Sequence, residues 1–132
     1  MLILGALAAI AIPLFFNQTS KSKDASAKAQ VRAMATAIET CRTESSSDTY
    51  AGCDLSRLRV IEFTIPSNAT VLVANDEGYE IQSAPAADTN NLFRILRLDG
   101  QTTRECTIGS GGDTGACDLG GQEPNPGAEG AW

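Results

Sequence analysis

The side chains in this sequence with the most chemistry are four cysteines, Cys41, Cys53, Cys106 and Cys117, in a chain of 132 residues that contains no histidine. Thiols bind metals, act as nucleophiles or join in disulfides. No two of these form the C-x-x-C pair from which zinc sites are commonly built. Without histidine a nucleophilic thiol or hydroxyl lacks its usual general base, and no Gly-rich phosphate loop or paired-carboxylate constellation stands out. An even number of cysteines and no histidine fit an oxidising, extracytoplasmic setting with two disulfides. Four cysteines allow three pairings; the short loops favour Cys41–Cys53 and Cys106–Cys117, each contributing about 3 kcal/mol by restricting the unfolded chain. Two sequons, at Asn17 and Asn68, permit N-linked sugar, and Ser45, Ser46 and Ser47 are candidates for O-linked sugar.

These groups need elements to hold them, and the apolar residues that build elements are unevenly spread. Residues 1–16 carry no polar side chain, and ten of those sixteen are large and apolar. Leaving them in water would forfeit about 15–30 kcal/mol, more than the roughly 5–15 kcal/mol by which whole domains are stable. The segment therefore belongs in a bilayer, in a core or against other chains. It falls short of the ~20 residues of a membrane-spanning helix, and Pro13 removes a backbone donor and crowds the Ala9 carbonyl. Gly5 and Pro13 bracket a stretch, residues 5–13, in which helicity is weakened.

From residue 20 to 45 the sequence is alanine-rich and free of glycine and proline. Ala27, Val31, Met34, Ile38 and Cys41 fall at alternating steps of four and three, which makes one helical stripe for packing against a sheet. Residues 1–45 thus read as one long helix, apolar at its start and amphipathic from residue 20. Residues 46–132 read as a β head. TVLVA and YEIQS flank the turn NDEG, and LFRILRL and TTRECTI flank Asp99–Gly100, giving two hairpins and an antiparallel sheet of about four strands. In LFRILRL, Phe93 and Ile95 share one face while Leu92, Leu96 and Leu98 share the other, so the strand is either bulged or covered on both sides. Leu55 to Ile65 has no clear period. The Gly/Pro-rich C-terminal stretch has too few apolar residues for an element of its own, and is expected to be pinned by Cys117 and the Trp132 indole. The fold class is α+β.

The run GALAAIAIP at the start of a long helix, its amphipathic continuation, a sheet carrying GYEIQSA and RLDGQTTREC, and a late Cys-bounded loop together resemble the type IV pilins over residues 1 to about 117. The specific part is N-terminal, where Gly5, Leu7, Ala8, Ala9, Ile10, Ala11, Ile12 and Pro13 match the family's GxLAAIAIP. The resemblance implies a filament core built from Leu2, Ile3, Leu4, Gly5, Leu7, Ala8, Ile10, Ile12, Pro13, Leu14, Phe15 and Phe16, with loss of helicity between the glycine and the proline in the assembled polymer. It also implies residence in the cytoplasmic membrane before assembly, dependence on pilus assembly machinery, and export into a helical homopolymer that serves adhesion or twitching motility. The chain departs from the family in lacking a glutamate near its N-terminus, the first acidic residue being Asp24; either the sequence begins late, at an internal methionine, which is the favoured expectation, or the subunit assembles without that glutamate's contact to a neighbour's amine.

Two other readings compete. A pseudopilin or minor pilin of a secretion or DNA-uptake system would resemble proteins that hold calcium in the C-terminal loop, where Asp113 and Asp118 are the candidate ligands. A monomeric, membrane-anchored secreted domain is the other. Nucleic acid is not an expected partner, since Lys21, Lys23, Lys28 and Arg32 are outweighed by a net charge of −6. No cofactor and no enzymatic activity are expected.

Overall fold

The computed structural model describes residues 2–83, 91–111, 117–123 and 125–132, with side chains described from residue 19 onward, residue 20 excepted. Helix α1 spans Leu2–Glu44, helix α2 Leu55–Ile61, and the strands are β1 Thr70–Ala74, β2 Gly78–Gln82, β3 Leu92–Leu98, β4 Gln101–Thr107 and β5 Glu129–Ala131. The architecture is α+β.

One stripe of α1 is shut away from water as its spacing predicts: Ala27 is 7% exposed, and Val31, Met34 and Ile38 are at 0%. Between residues 5 and 13 the backbone is helical in the single chain rather than interrupted. Losing one rung at Pro13 costs roughly 3 kcal/mol, yet without a neighbouring chain the remaining backbone groups have no better partners than one another. At its other end α1 closes with the Ser45 amide donating to the Cys41 and Arg42 carbonyls at 3.1 and 3.0 Å. The Cys41–Cys53 disulfide, with Cα atoms 6.0 Å apart, ties the following loop to that end. Asp54 then caps α2, its Oδ1 accepting from the Arg57 amide at 2.9 Å. Hydrogen bonds from Ser56 and Arg57 hold the Asp54 carboxyl below its ordinary pKa.

The sheet is an antiparallel meander in the order β1-β2-β3-β4-β5. Asp99 and Gly100 turn β3 into β4 with φ of 49° and 78°; both values lie in the left-handed region that such two-residue hairpins require. Strand β3 pairs without a slip on both sides, Ile81 with Ile95 and Ile95 with Arg104, so it is not the bulged strand. The irregularity lies in β1, between Val71 and Val73. Phe93 and Ile95 face α1, at 0% and 3% exposure. The opposite face is open in the single chain and leaves Leu98 46% exposed.

The expectation of about four strands and a tail without an element is corrected by β5. Glu105, Cys106 and Thr107 of β4 pair with Ala131, Gly130 and Glu129, and Asp118 bridges to Ala131. The strand's own residues carry no large apolar side chain; the segment is held by backbone bonds, by the nearby Cys106–Cys117 disulfide and by the flanking Trp132, which packs against the core. A side chain at Gly130 would collide with the Asp118 carbonyl, which explains glycine in so short a strand. Replacing both Cys106 and Cys117 by serine is expected to lower unfolding stability by about 3 kcal/mol. Urea unfolding reads this out, and an unchanged midpoint would count against a structural role for the bridge.

Candidate assembly interface

The residues assigned to a filament core, from Leu2 to Phe16, all lie within α1; their side chains are outside the described residues. Among the described residues no helix is long and apolar enough to cross a membrane. The helix-to-sheet residues Ala27, Val31, Met34 and Ile38 join Phe93, Ile81, Ile95 and Tyr79 in one apolar cluster. This packing fixes α1 against the sheet. The buried Asp24 carboxylate accepts from Asn91 Nδ2 at 3.1 Å, and Asn91 Oδ1 accepts from the Gly109 amide at 3.0 Å. Helix, β3 and the end of β4 are thereby joined at one level.

The indole of Trp132 completes this region. It meets Phe93 edge-on, with centroids 5.6 Å apart and planes at 84°, and Nε1 donates to the Glu105 carbonyl at 2.8 Å. Lys28, Arg32 and Arg104 gather around the same ring at 5.3, 5.3 and 5.6 Å. Burial and the neighbouring Arg32 push the Lys28 ammonium below its ordinary pKa.

Because α1 covers β2 and β3 but leaves β4 bare, an open groove of about 620 Å³ runs between them. Arg32, Thr36, Thr40 and Thr43 form the helix wall, Thr102 and Arg104 the strand wall, and Tyr79, Ile95 and Arg97 lie at its base. Glu39 sits within it. Its carboxylate accepts from the Tyr50 hydroxyl at 3.1 Å and pairs with Arg97 at 3.5 Å and Arg42 at 4.0 Å. Tyr50 in turn meets Tyr79 edge-on at 5.0 Å. Burial first, and then the Glu39 carboxylate, push the Tyr79 phenol up to about 12. Below pH 10 the phenol is neutral in folded and unfolded chains alike. As pH rises from 10 to about 12 the unfolded chain ionises first, so stability is lost across that window. Titration by tyrosinate absorbance is expected to show a late-ionising component that Tyr79→Phe abolishes; a wild-type curve without that component would contradict this.

The amphipathic pattern of α1 identifies the stripe that packs on the sheet but not the groove. The available signal was the inward parity of Thr102 and Arg104 with Cys106, which puts polar residues on the helix-facing side of β4. On the opposite face Arg94 gathers Glu80 at 2.7 Å, Glu105 at 3.6 Å and Glu129 at 4.0 Å.

Of the candidate calcium ligands, Asp113 lies outside the described residues. Asp118 is exposed, with Oδ1 accepting from the Gly120 amide at 2.9 Å. Among the described residues no three carboxylate or thiol groups converge as a metal site would require. Of the glycosylation candidates, Asn68, Ser46 and Ser47 are exposed and Ser45 is half-buried, while Asn17 is outside the residues with described side chains.

The chain matches no family model, no curated protein and no solved structure. What it is for must be argued from its own residues.

Proposed function

We infer that this chain is a structural subunit of an extracellular type IV pilus, polymerising through its apolar N-terminal helix. The observation that carries the reading is the division of α1. It is 43 residues long, its described contacts with the sheet run from Asp24 to Glu39, and the sequence ahead of them is a sixteen-residue stretch without a polar side chain. A head that closes its own core over the later half of a helix leaves the apolar half for other molecules. Burial of those residues, at about 1.5–3 kcal/mol each, is large enough to drive insertion into a membrane first and self-association afterwards. The GALAAIAIP sequence, matching the pilin pattern, says which kind of self-association.

On this reading the chain has no catalytic role and needs no cofactor. It waits in the cytoplasmic membrane, is extracted by pilus assembly machinery, and packs helix against helix in the filament core with its disulfide-braced head outside. The helicity lost between Gly5 and Pro13 belongs to that assembled state, where neighbouring helices supply the contacts that a single chain lacks. Adhesion and twitching motility would be properties of the polymer. The experiment is to shear the surface of cells producing this chain and identify the proteins in the filament fraction by mass spectrometry. The chain is expected as the main component. Its confinement to the membrane fraction as a monomer would overturn the proposal.

A further inference from the structure

The head carries an acidic end and, about midway along it, a basic patch. Helix α1 and strand β3 run in the same direction, since Asp24 meets Asn91 and Glu39 meets Arg97. The C-terminal end of α1 therefore lies level with the β1–β2 and β3–β4 turns, where Gly78 pairs with Leu98. Glu44, Asp76, Glu77 and Asp99 collect at that end, and among the described residues none of them has a cation within 4.0 Å. The Asp76–Glu77 pair is held on a rigid turn, because Asn75 Oδ1 accepts from the amides of Glu77 and Gly78 at 3.0 and 2.9 Å.

Lower down, Arg32 and Arg104 flank the mouth of the groove and have no carboxylate within 4.0 Å among the described residues. Three threonine hydroxyls on the helix wall are already engaged: those of Thr36, Thr40 and Thr43 donate to helix carbonyls at 3.2, 3.0 and 2.8 Å. The charged donors left at the mouth are the guanidinium N–H groups of Arg32 and Arg104, which favour an anionic acceptor, ideally a carboxylate. Arg32 precedes Glu44 by twelve residues, so the basic and acidic levels are separated by about 18 Å along the helix axis. No rotation of one chain brings them together. A second chain lying beside the first and displaced along that axis does.

We propose that a second copy of this chain, displaced along the α1 axis, seats its Asp76–Glu77 turn against the Arg32–Arg104 mouth of the first. The partner is argued from charge complementarity between two parts of one surface, and the contact is head-to-tail, so it repeats without closing, as a filament requires. This rests on the pilus reading and adds the surface that sets the stagger between heads.

The test is a charge-exchange cycle in the full chain, read as filament yield by electron microscopy. Asp76→Lys with Glu77→Lys, and separately Arg32→Glu with Arg104→Glu, are each expected to lower the yield about tenfold through like-charge contacts. The four changes together are expected to restore it to within about threefold, the signature of a direct coupling. All four side chains are exposed, and the two levels lie too far apart within one chain for the rescue to be a repair of folding. Filaments from the unmodified chain, with the fourfold variant no better than either double variant, would overturn this contact and leave the pilus reading standing. No filaments from the unmodified chain would overturn both.

Discussion

If the chain polymerises as proposed, Ile10→Asp is expected to abolish filament formation and leave the head folded. Position 10 is central in the polar-free run of residues 1–16, and an aspartate at the middle of a membrane helix costs about 2.5–3.5 kcal/mol. On the pilus reading the cost would recur in the polymer, because each subunit would present the same position to its neighbours and an unpaired carboxylate buried among helices is more unfavourable still. The head closes its core with residues from Ala27 onward, so its stability should not register the change. Electron microscopy of sheared surface material and circular dichroism of the purified chain separate the two effects. Normal filaments from the variant would show that residues 1–16 do not form the packed centre.

Phe93→Ala lowers the stability of the head by about 3–5 kcal/mol, a large share of the roughly 5–15 kcal/mol that a small domain has. Phe93 is fully buried in the third of five strands. It lies under Lys28, whose ammonium is 5.1 Å from its ring centroid, and against the edge of Trp132 at 5.6 Å. Removing the ring opens a cavity beneath α1 and takes away the surface on which the last residue rests. Strand β5, three residues long, should therefore loosen with it, and amides paired between β4 and β5 should exchange faster. Phe63 supplies the control. It is 84% exposed, and its replacement by alanine should change stability by no more than about 0.5 kcal/mol. Denaturant unfolding of the two variants gives the comparison; similar midpoints would contradict the packing described for Phe93.

The contrast between these two phenylalanines shows what the sequence makes legible. Phe93 is readable in part: it shares a strand face with Ile95, but Leu92, Leu96 and Leu98 on the other face left open which side the helix covers. Both hairpins are readable because turn chemistry is local: Asp99–Gly100 needs nothing beyond its own dihedral preferences. Strand β5 is not readable, because Glu129, Gly130 and Ala131 have neither strand propensity nor apolar parity. Their pairing comes from residues far away in sequence: β4, Asp118 and the Cys106–Cys117 bridge. Helix α2, at seven residues, is too short to show a period. The groove escaped for a different reason. Arg32 and Thr36 lie off the apolar stripe of α1, and only the position of β4, one strand beyond the reach of α1, makes that side of the helix one wall of a cleft.

If the apolar half of α1 is the core of a polymer, a helical reconstruction of filaments by electron cryomicroscopy will show it. The expected density is a central bundle made of residues 1–16 from successive copies, with the chain departing from helical geometry between Gly5 and Pro13 and the disulfide-braced heads arranged around the outside. A filament in which these residues lie at the periphery, or in which the heads alone make the contacts, would contradict it.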